Sequence, residues 1–340
     1  MPGAGPVSTI VRVLRSKQAV DGGPAPAMTE MDAPAPSESV AARCGLTLGP
    51  LLFHWPAARR RDFYARIADE APVDCVHLGE VVCTKRAPFA DPDLPAIAER
   101  LRAAGKQVVL SSLALVTTDR EIAAVRAQCD AGFLVEANDV SCLRALAGRP
   151  HVIGPLINLF NEGTLSYLAR QGAIRVVPPP EVSAAGIGVL ARHAGGMQVE
   201  VMAFGRQTLS VSARCYHARS RDLHKDGCQF VCEDEPDGLP VQTLDGRPIV
   251  MINGTQTMSH GYVVLLRELP ALIACGVSRF RLSPQDVDMV AVARVFRDVL
   301  DGRLDAAAAM QGVTTLANEV PLVNGYMHGR EGLAWVGAGG

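Results

Sequence analysis

Residues 73–111, VDCVHLGEVVCTKRAPFADPDLPAIAERLRAAGKQVVLS, hold a complete strand, helix and strand in succession. The β-branched and apolar run 73–78 stops at Leu78-Gly79-Glu80, an amphipathic stretch covers 92–104, and a second apolar run fills 107–111. Short apolar strands joined by helical segments predict a parallel sheet with crossover helices. Working outward, the same rhythm predicts strands at 50–53, 132–136, 151–155, 174–177, 198–204, 249–253 and 278–282. Helices are expected at 58–70, 119–129, 161–171, 181–194, 261–274 and 288–301. Eight or nine strands alternating with helices predict an α/β chain folded as a (β/α) TIM-like barrel, complete or imperfect, rather than an open doubly wound sheet.

The barrel is expected to be a single domain over 44–340. Residues 1–43, rich in Ala, Pro, Gly and Ser as in Pro24-Ala25-Pro26-Ala27, show no periodicity and are expected to form a disordered extension. One segment breaks the barrel rhythm. Residues 205–246 hold three of the nine cysteines, two histidines and the acidic run Glu233-Asp234-Glu235, with no clear period. Irregular segments of this length inside a compact domain usually carry function, and in barrels the site is built where strands end.

Composition narrows the function classes. The 340 residues are 48% hydrophobic and 20% charged, with a formal net charge of −2, which argues against a dedicated nucleic-acid binder. No apolar run reaches the length of a membrane span. Arg12 interrupts the apolar run near the start, so no secretory signal is expected, and a cytoplasmic, reducing setting follows. There, nine cysteines suit buried thiols and a metal or cluster site better than disulfides.

Cys215 is followed by Cys228 after twelve residues and by Cys232 after three more. Cys83, just past the strand 73–78, is placed by the barrel reading on the same face and is the best fourth partner. Four thiolates complete an iron-sulfur site. Structural zinc competes, because His217 and His224 lie among the cysteines and could complete a tetrahedral set. Cys44, Cys75, Cys129, Cys142 and Cys275 read as buried thiols. Lys85, Arg86, Arg214, Arg219 and Arg221 surround the cysteines in sequence; they either offset the charge of a thiolate-ligated centre or clamp a dicarboxylate. Arg59-Arg60-Arg61 reads as a solvated helix start. No H-E-x-x-H or G-x-S-x-G motif supports proteolysis, and Gly186-x-Gly188 lacks the third glycine of a dinucleotide fingerprint, Ala191 standing in its place.

Several stretches together resemble a known family. They are Leu48-Gly49-Pro50, His54-Trp55-Pro56, Leu78-Gly79-Glu80 with Cys83, and Ser212-Ala213-Arg214-Cys215. Further ones are Lys225-Asp226-Gly227-Cys228 with Cys232, Asn253-Gly254-Thr255-Gln256-Thr257-Met258-Ser259 and Arg281-Leu282-Ser283-Pro284-Gln285. From about Leu46 to Gly325 the chain resembles the collagenase-like (U32) peptidase family, in its UbiV branch of oxygen-independent ubiquinone biosynthesis. The resemblance implies a [4Fe-4S] cluster on Cys83, Cys215, Cys228 and Cys232. It also implies a heterodimer with a UbiU-like protein and a share in hydroxylating a ubiquinone-precursor lipid, free or on a carrier protein. Relatives hydroxylate RNA bases, with prephenate as oxygen donor, so an RNA-base hydroxylase is an alternative. A zinc-stabilised interaction protein without chemistry is another. The extension and His260, which reads as an insertion, depart from the family pattern.

Overall fold

A computed structural model of the chain describes residues 44–337, so the extension expected over 1–43 lies outside the described residues. Eight parallel strands form the barrel: β1 (Gly45–Leu48), β2 (Cys75–Leu78), β3 (Gln107–Ser111), β4 (Leu134–Ala137), β5 (His151–Ile153), β6 (Ala173–Val176), β7 (Gln198–Gly205) and, late in the chain, β13 (Arg279–Leu282). Each pairs with the next, β7 pairs with β13, and β13 returns to β1, with Thr47 opposite both Arg281 and Cys75. The circle is closed. This is the expected barrel, without the ninth strand.

Four strands between β7 and β13 make a separate antiparallel sheet in the order β8, β11, β10, β9: β8 (Thr208–Val211), β9 (Leu239–Gln242), β10 (Pro248–Asn253) and β11 (Gln256–Ser259). Two short strands, β12 (Tyr262–Val264) and β14 (Leu322–Val323), extend the barrel sheet from the end of β7.

The crossover helices are α1 (Ala57–Glu70), α2 (Ala87–Ala90), α3 (Leu94–Ala103), α4 (Asp119–Cys129), α5 (Val140–Leu146), α6 (Glu162–Arg170) and α7 (Ala184–Arg192). After them come α8 (Tyr216–Arg219), α9 (Leu269–Ala274), α10 (Met289–Leu300) and α11 (Ala306–Leu316). Local sequence explains where they start. At α4, Thr118 Oγ1 accepts the Glu121 N–H (3.2 Å) while the Glu121 carboxylate accepts the Thr118 N–H (3.0 Å), a reciprocal cap that contributes about 1 kcal/mol. Along α10, Met289, Val292, Ala293 and Phe296 recur at helical spacing and are buried, which seats that face in the core.

Four expectations need correction. The first strand is Gly45–Leu48, not 50–53; Pro50 has no N–H for a ladder, and Leu51 and Phe53 are buried from a loop instead. The strand expected at 249–253 belongs to the antiparallel sheet, and the helix expected over 261–274 is β12 followed by the short α9, which begins at Leu269-Pro270. The segment 205–246 is not wholly irregular. It holds β8 and β9, whose partners β11 and β10 lie beyond it.

Alternate residues of the barrel strands point into an interior full of charge. Arg281 on β13 reaches Glu200 on β7 (2.5 Å) and Glu136 on β4. Arg175 on β6 reaches Glu200 (3.5 Å) and, across the barrel, Cys75 Sγ on β2 (3.7 Å). Ser111 Oγ donates to Glu136 (3.0 Å) and stands 3.0 Å from His77 Nδ1. Taking such ions from water costs several kcal/mol each, and only this density of opposite charges and hydrogen bonds offsets it.

Candidate functional site

The loop after β2 delivers Cys83. Gly79 turns it with φ 116°, where a side chain would meet the Ser111 carbonyl at 2.6 Å. Glu80 Oε1 then accepts the N–H groups of Val82 (2.8 Å) and Cys83 (2.9 Å). Thr255 Oγ1, in the turn between β10 and β11, donates to the Val82 carbonyl (2.8 Å), so the early loop is fastened to the late hairpin.

The other three thiols come from the chain between β8 and β9. Cys215 opens α8, its Sγ accepting the Ala218 N–H (3.4 Å). Cys228 follows a single turn over Lys225–Gly227, and Cys232 lies in another over Val231–Glu233. Between them Gln229 and Phe230 are both left-handed, with φ of 51° and 56°, a conformation that costs a non-glycine residue about 1–3 kcal/mol. Packing holds the turn. The Phe230 ring stands edge-on to Phe89 with centroids 4.7 Å apart, and His54 adds a third ring at 5.8 Å from Phe230.

Cys83, Cys215, Cys228 and Cys232 line one cleft with about 340 Å³ of open space, joined there by Arg86, His217 and Gly254. Burial pushes the thiols of Cys83, Cys215 and Cys232 above the usual range, although nearby Arg86 or backbone N–H groups oppose the shift. Arg86 is buried, which opposes its charge, yet Glu80 and the sulfurs of Cys232 and Cys83 outweigh that and hold its pKa above the ordinary value. Its Nη1 donates to the Leu52 carbonyl and its Nη2 to Asn253 Oδ1, both at 2.9 Å. Gly254, at φ 62°, leaves room for that guanidinium, since a Cβ there would lie 2.7 Å from Nη2. The hairpin turn and the arginine fit each other.

Of the other cations expected around the cysteines, Lys85 also lines the cleft and bonds the Lys225 carbonyl (2.7 Å) and Asp226 (2.8 Å). Arg214, Arg219 and Arg221 are exposed, and Arg221 pairs with Glu235 at 3.1 Å. Lys225, part of the motif before Cys228 but not counted among those cations, lines the cleft in their place. The two histidines differ as well. His224 Nδ1 accepts the Gly227 N–H (2.9 Å), which commits it to the local turn. His217 is fully buried with no hydrogen-bond partner on either ring nitrogen, and burial and the Arg86 and Arg221 charges lower its pKa to about 4. It is therefore a neutral imidazole at pH 7. Among the described residues no group of three or more His, Cys, Asp or Glu side chains is arranged to hold a metal ion.

The triplet Arg59-Arg60-Arg61 is not simply solvated. Arg59 lies over the Trp55 ring at 4.1 Å, and Arg60 is buried, donating to Asp93 (2.7 Å) and to the Phe89 carbonyl (2.5 Å). It braces the wall behind Phe89. Of the five cysteines read as buried, Cys75, Cys129 and Cys142 are buried, while Cys44 and Cys275 are partly exposed.

Comparison with known proteins gives a family. Residues 63–336 match the family described as peptidase family U32, and the chain belongs to that family. Among solved structures it is similar to a dihydrodipicolinate synthase from Agrobacterium tumefaciens, with 14% identity, 80% of each chain covered and a TM-score of 0.44. It is also similar to a dihydropteroate synthase from Xanthomonas albilineans, with 14% identity, 81% of this chain and 95% of that one covered and a TM-score of 0.39.

Proposed function

We propose that this chain is the iron-sulfur subunit of an oxygen-independent hydroxylation system for ubiquinone precursors, acting as a heterodimer with a UbiU-like protein, and that Cys83, Cys215, Cys228 and Cys232 hold a [4Fe-4S] cluster. One observation carries the reading. A thiol from the loop after β2 and three thiols from the chain between β8 and β9, 132 or more positions later, line a single cleft. Membership of the U32 family and the UbiV-like motifs around each cysteine support the same ligand set.

The residues suit such a group. Four thiolates bring negative charge, and Arg86 is a buried cation whose neighbours hold it protonated. The unpartnered imidazole of His217 has an N–H to offer a sulfur acceptor. A bound cluster would supply one-electron transfer. The chain's own part is to bring the four sulfurs together, with Phe230 lining the cleft and packed against Phe89 and His54. With all four ligands from protein, the reading favours electron transfer or a structural role over substrate binding at iron.

Anaerobic purification tests the proposal. The expected product is brown, with about four irons and a similar number of labile sulfides per chain. Colourless protein with one bound zinc would instead support an interaction module. Cys228→Ala should lose iron and visible absorption while keeping its far-UV circular dichroism; full iron retention would sink the ligand assignment. Co-expression with a UbiU-like protein should yield a stable complex. An unchanged ubiquinone pool in an anaerobically grown deletion strain would turn the reading toward RNA-base hydroxylation.

A further inference from the structure

Two of the thiols outside the cleft face each other. Cys129 is the last residue of α4 and Cys142 lies in the first turn of α5, and their Sγ atoms stand 3.4 Å apart. Both are buried, in a small apolar cluster with Leu113, Val125, Val135 and Leu146. Only 13 positions of sequence separate them, with β4 between. An S–S bond is about 2.05 Å long, so closing the pair takes a movement of about 1.4 Å.

The end of α4 has room for that movement. Its other side borders a cavity lined by Glu121, Ala124, Val125 and Gln128 together with Leu94 of α3. The chain leaves the helix through Asp130-Ala131-Gly132, and Gly132, at φ 76°, has no atom within 4 Å of a Cβ position. The two thiols also differ in character. A hydrogen bond from Cys142 lowers the pKa of Cys129 against burial, with help from the Arg149 charge, whereas the same bond and burial raise that of Cys142. Cys129 is the better nucleophile.

We propose that Cys129 and Cys142 form a reversible disulfide site, oxidised by hydrogen peroxide, that shifts the end of α4 and with it the turn delivering Cys83. Cys129 Sγ attacks one peroxide oxygen, the O–O bond breaks, and a sulfenic acid and one water result. Cys142 Sγ then attacks the Cys129 sulfur, the S–O bond breaks, and the second water leaves with the Cys142 proton. Two thiols thus give two electrons to one peroxide. The link to the cleft is Gln128, next to Cys129. Its Nε2 donates to the Ser111 carbonyl (2.9 Å), the group against which Gly79 turns, and Gly79 precedes the Glu80 that holds the Cys83 N–H. The site stands whatever the cysteines of the cleft bind.

Trypsin places the pair in one peptide, 127–144, apart from every cysteine of the cleft. Anaerobically purified protein, treated briefly with hydrogen peroxide and then alkylated with iodoacetamide in denaturant, should yield this peptide unlabelled and lighter by two hydrogens. Dithiothreitol should restore both labels. In Cys142→Ser, dimedone should trap a sulfenic acid on Cys129, and in Cys129→Ser it should trap at least about tenfold less on Cys142. Hydrogen exchange at the amides of 79–83 should differ at least about twofold between the dithiol and disulfide forms, and the difference should vanish in Cys129→Ser. A peptide that keeps both labels after peroxide, or that is oxidised past the disulfide, would overturn the site. Equal trapping on the two thiols would overturn the order of attack, and unchanged exchange at 79–83 would overturn the link to the cleft.

Discussion

The barrel interior and the cysteine cleft are both buried and polar, but they are finished to different degrees. In the interior the charges have opposite charges or hydrogen bonds: Arg281 with Glu136 and Glu200, Arg175 with Glu200, His77 beside Ser111. In the cleft four free thiols line one space, and His217 has no hydrogen-bond partner on its ring. A set of groups that satisfies itself stabilises the fold and resists change. A set that does not is complete only with something bound. Buried polar groups in proteins are normally paired, so an unpaired cluster points to a binding site more strongly than a paired one.

The largest expected effect tests the self-sufficient region. Arg281→Met removes the cation that Glu136 and Glu200 share and leaves two buried carboxylates short of a partner. Breaking a buried pair in this way costs about 3–5 kcal/mol. Urea unfolding followed by circular dichroism should show a stability lowered by that amount. A loss below about 1 kcal/mol, the size of an exposed ion pair, would break the comparison.

Acid should strain the same region. Burial alone would raise the carboxyl pKa values, but Arg281, with His77 beside Glu136 and Arg175 beside Glu200, holds Glu136 well below its ordinary range and Glu200 at about 2. A depressed carboxylate stabilises the fold above its unfolded value of 4.5, and that contribution is lost as pH falls toward 2. A tenfold difference in proton affinity between folded and unfolded chains is worth about 1.4 kcal/mol, so stability should fall by about 3 kcal/mol from Glu200 alone. Thermal melts from pH 5 to pH 2 would show it, and Cys228→Ala should lose stability in parallel with the parent protein. A variant of the cleft that changed the acid profile would mean that the two regions are not separate.

A smaller effect is expected where the hairpin meets the cleft. Gly254→Ala places a side chain at φ 62° and 2.7 Å from Arg86 Nη2, for a cost of about 1–3 kcal/mol. The guanidinium must then move, so iron content of the anaerobic protein should drop with stability. Normal iron with reduced stability would show that the cleft tolerates a displaced Arg86.

Much of the fold and part of the site are legible in the chain itself, and the failures have physical reasons. Most of the long helices are legible because amphipathic spacing and caps are local, as at Thr118 and Glu121 for α4, whereas the short α5 and α9 are not. Cys83 can be placed beside the late cysteines because it follows a barrel strand. The antiparallel sheet is hidden: β8 and β11 are stabilised by each other across some 45 residues, and each is only four residues long, Thr208–Val211 and Gln256–Ser259, too short for its pattern to stand out by itself. The burial of Arg60 is hidden because its Asp93 partner lies 33 positions away. The ionic interior is obscured for a different reason. Arg279, Arg281 and Glu200 sit in strands where alternation usually turns charge outward, and in this barrel it turns inward.

The smallest effect is the most discriminating. His217 has two unpaired ring nitrogens in the cleft, and an apolar side chain of similar size has none to satisfy. His217→Leu should therefore leave the stability of the metal-free protein within about 1 kcal/mol of the parent, or raise it. A buried group in the barrel interior would behave in the opposite way, because its removal strands a partner. In anaerobically reconstituted protein the sign should change, since an imidazole N–H donating to a sulfur acceptor would be lost. Melting both proteins with and without iron gives four temperatures, and the difference of the two differences isolates what His217 does for the bound state. If the leucine variant is destabilised equally in both forms, the imidazole serves packing alone, and the contrast between a finished and an unfinished region fails at its clearest residue.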